Sequence, residues 1–502
     1  MSWKSCKNTS KNVGKVAKTP QKSLEKLQKI PKNPLEKLHT SVIIHVNERI
    51  GGVFLLQREL YKDIFNWVIN GKTALTVTGA RQTGKTFLIR ECIKKSGKSF
   101  VEINFIENPE YISIFSNEGS VKDILFRLSA VFGKSLVPGE TIIFIDEVQE
   151  YKDMITKIKF LVDDNTYKYI LSGSLLGVEL SNLRSAPVGY MKILEMYPLN
   201  IKEFYKALGM TDAVLDTVKE CFDSKTPVDD FVHSKLMDAF YLYLMVGGMP
   251  QAVATYLSTN DMNKVLEIHQ DINRLYKLDF TKYEKQQNLR LKEIYDSIPG
   301  ELNDQNKRFF LNKLGERTSI RRVENSFVWL KDAGVALAIY NVTEPMAPLR
   351  VSEKRNLFKL FLLDVGMLTS MYPNSIKLSI FNRDKNLNNG ALFENAVAQE
   401  LVSKGYDVYY YNGKKQGEID LLIERNGAVL PIEVKSGKDY KIHSALDNVL
   451  SNESYGIPEA FIFNNENVEI VGKKNYMPIY MAMFLEEDNQ STGIIKVGLG
   501  DL

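Results

Sequence analysis

Short apolar runs that end in polar residues predict a sheet in the first half of the chain. Such runs occupy residues 74–77, 141–145 and 169–171, and residues 100–105 form a further strand candidate. Continuous apolar character is typical of strands that are buried on both faces, as in parallel sheets. Because helix-like segments separate the runs, we expect an α/β core with a mostly parallel sheet over about 55–200.

Apolar residues then recur at the spacing of a helix. Leu236, Phe240 and Leu244 follow one another at intervals of four residues, and this part of the chain is predicted to be helical. The uncharged stretch 239–260 is long enough to raise the question of a membrane span. Its centre, 247–250, reads Gly-Gly-Met-Pro, so it predicts two helices joined by a sharp turn inside a core.

Residues 286–345 have the outline of a winged helix. Short helices are predicted at 291–298, 309–314 and 320–333, and a strand at 335–339. The candidate recognition helix carries two adjacent arginines, Arg321 and Arg322. Two interpretations stay open at this point, namely a DNA-binding module and a wing that serves only in packing.

Near the C-terminus the pattern changes to alternation around an Asn-Gly pair. Residues 417–423 alternate, Asn426 and Gly427 follow, and a second strand candidate covers 428–435. Asn-Gly between alternating strands is a strong signal for a hairpin with a two-residue loop. Pro431 cannot donate to a ladder, so we expect its strand to be at an edge or locally irregular.

The register of this hairpin follows from its loop. If Arg425 pairs with Ala428, then Asp420 lies opposite Glu433 and Glu418 lies opposite Lys435. The alternation also assigns a set of apolar residues to one common core face. These residues are Ile419, Leu421, Ile423, Ile432 and Val434.

Candidate chemistry begins at the end of the first strand. Residues 79–86 fit the pattern GxxxxGK[ST]; they are Gly79, Ala80, Arg81, Gln82, Thr83, Gly84, Lys85 and Thr86. The glycines let backbone N–H groups curl around a phosphate, and the helix that follows adds the positive end of its dipole. Lys85 is then expected to reach the outer phosphates of ATP, and Thr86 to ligate Mg²⁺.

Two further strands end in residues that fit the same site. Asp146 follows the run 141–145 and is expected to hold Mg²⁺, as in P-loop NTPases. Glu147 is then placed to orient and polarise the attacking water. Ser172 ends the next strand, where its hydroxyl can bond the γ-phosphate or the water. The alternative for this serine is an ordinary strand-to-turn Ser-Gly.

The hairpin predicts a second site. Two opposed carboxylates repel one another unless a cation lies between them, so Asp420 and Glu433 are candidate ligands of Mg²⁺ or Mn²⁺. Lys435 could steady a phosphate's developing charge or a nucleophilic water. Glu394, on the predicted helix 390–397, is a candidate further ligand. The alternative is a charged hairpin face exposed to solvent.

Composition narrows the class of protein. The 502 residues suffice for several domains, and the net charge of +4 is too slight to argue for nucleic acid. Three widely separated cysteines indicate a reducing compartment and no disulfide framework or zinc cluster. The N-terminus lacks an apolar leader segment, so we expect a cytoplasmic protein without a membrane span.

The first 40 residues have a different character. They carry ten lysines against Glu25 and Glu36, and Pro20, Pro31 and Pro34 interrupt any helix. We expect a flexible basic extension, either simply solvated or in contact with nucleic acid or an acidic membrane.

Taken together, the chain resembles bacterial and archaeal AAA-type ATPases that end in a PD-(D/E)XK nuclease-like domain. The matching landmarks lie within about 50–490 and include 79–86, 145–149, 172–176, 196–199, 203–204, 247–250, 359–366, 393–395, 418–420 and 432–437. The resemblance implies an ATPase core (51–200), a winged-helix-like module (286–345) and a restriction-endonuclease-like α/β domain (386–502). Between them we expect a helical lid (201–285) and a connector (346–385), and the basic extension (1–50) lies outside the resemblance.

The resemblance also implies partners. AAA-type sites usually borrow an arginine from a neighbouring subunit, which would make the chain a homo-oligomer, and Arg184 is a candidate for this arginine. The first hypothesis is an Mg²⁺-dependent ATPase whose nucleotide cycle is coupled to a metal-dependent, DNA-directed nuclease-like domain. The alternative is an ATP-driven signalling or scaffold switch that engages a protein partner through a non-cleaving C-terminal domain.

Overall fold

The computed structural model describes residues 49–50, 53–54, 56–116, 119–181, 189–282, 288–304, 320–384, 388–413, 416–437 and 440–486. The basic extension over 1–40, the helix expected at 309–314 and the candidate Arg184 lie outside the described residues, as do the side chains of Arg321 and Arg322. Residues from His45 onward group into one compact unit.

The predicted parallel sheet is confirmed in the first half of the chain. The strands here are β1 (Arg49–Ile50), β2 (Val53–Phe54), β3 (Ala74–Thr78), β4 (Phe100–Asn104), β5 (Ile142–Asp146), β6 (Lys168–Ser172) and β7 (Met191–Glu195). Strands β3 to β7 form one sheet in the order β4-β5-β6-β3-β7, and all of its neighbours are parallel. Sequence reasoning missed β7, because this edge strand exposes Lys192 and Ile193 and so lacks a continuous apolar run.

Helices cover both faces of this sheet. They are α1 (Tyr61–Asn70), α2 (Lys85–Ser96), α3 (Ile112–Ser116), α4 (Val121–Phe132), α5 (Asp153–Asp164) and α6 (Leu176–Ser181), with short 3-10 turns at Pro109–Tyr111, Gly133–Ser135 and Val148–Glu150. Strand β5 shows the arrangement: Phe144 packs in the same core cluster as α1 and α2, and Ile145 packs in the cluster of α4 and α5. Burial on both faces explains its continuous apolar run.

A helical segment follows the sheet. Its helices are α7 (Ile201–Ala207), α8 (Asp212–Ser224), α9 (Asp230–Val246), α10 (Pro250–Thr259), α11 (Met262–Asp279), α12 (Asn288–Asn303) and α13 (Ile320–Asp332), with a 3-10 turn at Phe280–Lys282. The predicted break between two helices is confirmed, since α9 ends before Gly247 and α10 begins at Pro250. Across the described ranges, every helix is too short or too polar to cross a bilayer.

The C-terminal half is built on an eight-stranded mixed sheet in the order β14-β15-β13-β12-β11-β10-β8-β9. Its strands are β8 (Ala336–Val342), β9 (Glu353–Leu362), β10 (Tyr409–Gly413), β11 (Gly417–Arg425), β12 (Ala428–Val434), β13 (Ala460–Asn464), β14 (Glu469–Val471) and β15 (Lys474–Pro478). Its helices are α14 (Val365–Ser370), α15 (Asn374–Phe381), α16 (Gly390–Ser403) and α17 (Ser444–Leu450), with 3-10 turns at Leu349–Ser352, Glu453–Tyr455 and Ile479–Phe484.

This sheet corrects the expected division between a winged-helix-like module and a connector. Strand β8, expected to close the module over 286–345, pairs instead with β10 of the C-terminal domain. Strand β9 lies within the expected connector, 346–385, and pairs with β8 at the end of the same sheet. Sequence reasoning could not foresee this arrangement, because strand pairing over such separations leaves no local signal.

The predicted hairpin is present, with Arg425 paired with Ala428, but two of its details differ. Of the two expectations for Pro431, the edge strand is wrong, since β12 lies between β11 and β13. Pro431 directly precedes Ile432, where the pairing with β13 begins. Ile419 does not share a core face with Leu421. A register shift between β10 and β11 turns its side chain toward a different core cluster.

Candidate nucleotide site and C-terminal acidic site

The phosphate-binding loop follows β3 and has the backbone that its glycines permit. Gly79 has φ 130° and Gly84 has φ 95°, both in the region that disfavours other residues. A Cβ on Gly79 would lie 2.2 Å from the carbonyl oxygen of Met196. The glycine is therefore needed both for the turn and for the close approach of the chain that follows β7. Gly84 directly precedes α2, which begins at Lys85.

Lys85 is buried against the loop that it serves. Its ammonium donates to the carbonyl oxygens of Gly79 at 2.9 Å and Ala80 at 2.8 Å. Burial lowers the pKa of Lys85 to about 8, although the carboxylates of Glu147 and Asp146 act in the opposite direction. An anion bound in the loop would raise the pKa of Lys85 again, so the site favours a ligand rich in negative charge.

Asp146 brings three elements together at the end of β5. Its Oδ2 accepts from the Thr86 hydroxyl at 2.8 Å, and its Oδ1 accepts from the Ser172 hydroxyl on β6. The carboxylate is buried, with 3% of the residue exposed. The hydroxyl and carboxylate oxygens converge as hard oxygen donors, which is the ligand chemistry that Mg²⁺ prefers. The residues predicted for an Mg²⁺ site thus fit such an ion.

Glu147 is held in a defined position beside this carboxylate. Its backbone is left-handed, with φ 55°, and its N–H donates to Asp146 Oδ1 at 3.0 Å. The Gln149 amide donates to Glu147 Oε2 at 2.5 Å. Sequence reasoning did not give Gln149 this role, although it belongs to the 145–149 landmark.

The C-terminal acidic residues also lie near one another, on the second sheet. Asp420 Oδ2 accepts from the N–H of Val434 at 2.9 Å, and Glu433 Oε2 lies 2.7 Å from Lys435 Nζ. Burial, followed by the neighbouring Asp420, raises the pKa of Glu433 to about 8. Glu433 is only 3% exposed. Glu433 therefore does not belong to a face exposed to solvent, whereas Asp420 and Lys435 are half-buried.

A buried lysine from β9 joins the same region. Lys359 is fully buried, and its Nζ lies 2.7 Å from Glu418 Oε1 and 4.0 Å from Glu394 Oε2. Glu418 contacts Lys359 and the Asn412 amide. The pairing of β11 with β12 runs from Leu421 to Arg425, so the position of Glu418 opposite Lys435 stays a prediction. Sequence reasoning named Lys359 only within the matching landmark 359–366 and gave it no role. Its contacts arise because β9 joins the sheet through β8, a pairing that the sequence does not indicate.

The metal-site prediction for the C-terminal domain has partial geometric support. Asp420 and Glu394 both act on the pKa of Glu433, so the three carboxylates lie near one another. Across the part of the chain that the structure describes, however, no group of three or more His, Cys, Asp or Glu residues is arranged to hold a metal ion. Each of Asp420 and Glu433 already uses one oxygen within the protein.

Comparison with protein families assigns the segment that contains the first site. Residues 71–205 match the family described as AAA domain. This segment is an AAA-type P-loop ATPase domain. Residues 237–380 and 389–482 match two different families, each described only as a domain of unknown function (DUF8612 and DUF4143). No curated protein matches the chain.

Solved structures give weaker similarities. The Walker-type ATPase paby2304 of Pyrococcus abyssi is 13% identical with a TM-score of 0.40, covering 65% of this chain and 98% of that one. Cdc6p from Pyrobaculum aerophilum is 14% identical with a TM-score of 0.24, covering 68% and 96% respectively. The assignment of the ATPase domain therefore rests on the family match and on the loop geometry.

An apolar cavity of about 670 Å³ lies beside the loop of this ATPase domain. Gly84, Phe87 and Leu88 line it from the loop and α2, and Met196 and Pro250 line it from the segments after β7 and α9. Phe87 is half exposed, at 51%. Sequence reasoning missed this cavity, because its walls come from segments that are far apart in the chain.

Arg58, which precedes the residues matched by the AAA domain, is a second feature that sequence reasoning missed. Its guanidinium donates to the carbonyl oxygens of Thr83 at 3.1 Å and Tyr197 at 2.5 Å, and its Nε lies 3.1 Å from Glu203 Oε2. Only 7% of its side chain is exposed. The segment before α1 is therefore fixed to the phosphate loop and to α7. A lone arginine before the first helix gives no sequence signal for this role.

Proposed function

We propose that the chain is an Mg²⁺-dependent ATPase whose nucleotide cycle is coupled to a C-terminal, metal-dependent, DNA-directed nuclease-like domain. The observation that carries the ATPase part is the junction at Asp146, where a buried carboxylate receives the hydroxyls of Thr86 and Ser172. The AAA-domain match over the same residues supports ATP binding and hydrolysis.

In this proposal the loop N–H groups and Lys85 bind the phosphates of ATP. Thr86 and Asp146 would hold Mg²⁺, which when bound supplies charge neutralisation on the phosphate oxygens. The apolar cavity beside Gly84 and Phe87 accommodates the base, because it adjoins the N-terminus of α2, where phosphate binds.

Glu147 orients the attacking water and accepts its proton as the water attacks the γ-phosphorus. The bond from the γ-phosphorus to the bridging oxygen breaks, and ADP leaves with the electron pair. Gln149 keeps Glu147 in place through the bond to Oε2. Ser172, bonded to Asp146, fixes the orientation of that carboxylate.

The test of the ATPase proposal is Glu147→Gln. We expect turnover to fall by about two or more orders of magnitude, because the amide can hold a water but cannot take its proton. ATP affinity should stay within about threefold of wild type. Phosphate release and equilibrium binding of a fluorescent ATP analogue measure the two quantities. Lys441→Gln, which alters an exposed ion pair with Glu469, serves as the control. Unchanged turnover in Glu147→Gln would remove Glu147 from the mechanism.

The nuclease-like part of the proposal rests on the buried Glu433 with the half-buried Asp420 and Lys435 beside it. Asp420 and Glu433, with Glu394 behind them, would hold Mg²⁺ or Mn²⁺, and Lys435 would steady the developing charge. A buried carboxylate whose pKa is raised by a neighbouring carboxylate is a candidate functional group. A cation would relieve this repulsion.

The corresponding experiment measures cleavage of linear, supercoiled and branched DNA by the full chain with Mn²⁺, with and without ATP. We expect cleavage by wild type and a loss of at least about tenfold in Lys435→Ala. Lys474→Ala, in the same sheet and paired with Asp447, is the matched control. If wild type cleaves none of the substrates while its ATPase activity is intact, the C-terminal domain is better described as the binding part of an ATP-driven switch.

A further inference from the structure

Arg81 lies in the phosphate loop and forms an ion pair with α11 of the helical segment. Its Nε lies 2.7 Å from Asp279 Oδ2, at the C-terminal end of α11. Its carbonyl oxygen accepts from the Tyr276 hydroxyl at 3.2 Å. Asp279 is buried, with 7% of its side chain exposed, while 24% of the Arg81 side chain is exposed. A cation of the loop is thus paired with a buried anion of another element.

The position of Arg81 places its charge close to where the outer phosphates bind. It follows Ala80, whose carbonyl oxygen is 2.8 Å from Lys85 Nζ. Adjacent Cα atoms are about 3.8 Å apart, and an arginine side chain extends about twice that distance. Lys85 is the residue that reaches the β- and γ-phosphates in such loops. The guanidinium can therefore reach the γ-phosphate by a rotation of its side chain.

We propose that Arg81, in addition to Lys85, contacts the γ-phosphate in this ATPase, and that ATP draws Arg81 away from the Asp279 carboxylate. The inference rests on the proposed ATPase function and assigns the arginine within the same chain. A γ-phosphate carries more negative charge than one carboxylate, and it offers several acceptor oxygens to the planar guanidinium. ADP lacks this phosphate, so with ADP the Arg81–Asp279 pair stays closed.

The exchange of Asp279 for the γ-phosphate also changes how α11 is bound to the phosphate loop. When Arg81 turns to ATP, its ion pair with Asp279 opens, while the hydrogen bond from the Tyr276 hydroxyl to the Arg81 carbonyl stays. ATP and ADP would then differ in how firmly the loop is bound to the helical segment. A ligand shifts such an equilibrium only through its different affinity for the two states, and here the γ-phosphate provides that difference.

The test compares ATP and ADP affinities of the full chain, with Mg²⁺, for wild type, Arg81→Ala, Asp279→Asn and the double variant. We expect Arg81→Ala to weaken ATP about tenfold or more while ADP changes less than about twofold. Asp279→Asn should favour ATP over ADP by roughly threefold or more, because Arg81 is released beforehand. The double variant should match Arg81→Ala.

Asp296→Asn on α12 is the matched control, since Asp296 pairs with Lys277 of α11 at 2.6 Å and this pair does not include Arg81. If the Arg81–Asp279 pair only holds the loop in place, both single variants should lose affinity for ATP and for ADP equally. That result would overturn the inference. Asp279→Asn keeps the test decisive if Arg81→Ala unfolds. Failure of wild type to bind ATP would contradict the proposed function itself, whereas an unchanged ATP-to-ADP ratio in both variants would contradict only the role of Arg81.

Discussion

Individual residues in this chain carry charge in places where water does not reach. Glu400 on α16 is an example, with 1% of its surface exposed. One oxygen accepts from the N–H of Ile201 at 2.9 Å, and the other lies 3.8 Å from Lys404 Nζ. Glu400 therefore joins the C-terminal half of the chain to the first turn of α7. Burial raises the pKa of Glu400 to about 7 from its ordinary value of 4.5, against the effects of Lys404 and Ile201.

The raised pKa of Glu400 predicts a pH-dependent stability. In the unfolded chain this carboxyl loses its proton near pH 4.5, and in the folded chain near pH 7. Its contribution is thus fully present below about pH 4.5 and is lost as the pH rises through 7, at a cost of about 3 kcal/mol. Glu400→Gln should therefore raise the midpoint of thermal unfolding relative to wild type at pH 8 and have little effect at pH 4.5. A difference in unfolding midpoint that is the same at pH 8 and pH 4.5 would contradict the raised pKa of Glu400.

Residue types in the two sites were largely predictable, and their surroundings were not. Lys85, Thr86, Asp146 and Ser172 meet as the motif requires, because short loops at the ends of parallel strands place them together. The burial of Glu433 was not predictable, since it depends on the helices and strands that cover the hairpin.

At the scale of elements, glycines determine where segments can touch. The turn between α9 and α10 approaches the chain before α7 so closely that a Cβ on Gly248 would lie 2.0 Å from the carbonyl oxygen of Leu199. The N–H of Gly248 also donates to Asp364 Oδ2 at 2.5 Å. Asp364 in turn caps α14, accepting from Met367 N–H at 2.9 Å. Three segments thus meet at one turn.

Gly248→Ala should therefore destabilise the protein by about 1–3 kcal/mol, because the backbone must move to admit the methyl group. Urea unfolding followed by circular dichroism measures the change. The matched control is Gly300→Ala, since a Cβ on this exposed residue of α12 meets nothing within 4 Å. The control should be neutral or stabilising by up to about 1 kcal/mol. An equal loss of stability in both variants would contradict the importance of the close approach between Gly248 and Leu199.

The element predictions succeeded where the signal was local. The strands before and after the phosphate loop, the break after α9 and the Asn-Gly hairpin all appear close to their predicted positions. The winged-helix-like outline over 286–345 gave the helices α12 and α13 and the strand β8, but not the pairing of β8 with β10. Local patterns specify elements, and packing decides their partners.

At the scale of the whole molecule, the phosphate loop touches the C-terminal half directly. A Cβ on Gly334, between α13 and β8, would lie 3.2 Å from the N atom of Ala80. A Cβ on Gly177 would lie 2.3 Å from the carbonyl oxygen of Asp332. One core cluster, moreover, extends from Ala80 through the helical segment to the C-terminal sheet. The nucleotide site and the second sheet therefore share one packed interior.

This contact predicts that nucleotide binding changes the hydrogen exchange of residues beyond the ATPase domain. In hydrogen exchange of the full chain, ATP with Mg²⁺ should slow exchange in the turn before β8, in addition to the loop over 79–86. The distant edge strand β14 serves as an internal control and should not change. Lys85→Ala should abolish both effects, because it removes phosphate binding. Protection confined to residues 71–205 would contradict a coupling through Gly334.

The sequence by itself determined the α/β class of the ATPase core, the phosphate-binding loop with its carboxylate partners, and the C-terminal hairpin. These features follow from short-range periodicity and from motifs whose residues are brought together by short loops. Only the tertiary structure decided that Asp279 pairs with Arg81, that Lys359 is buried beside Glu394, and that β8 and β9 belong to the C-terminal sheet. Those contacts join residues far apart in the chain, where the free energy of packing, and not local sequence preference, selects the neighbour.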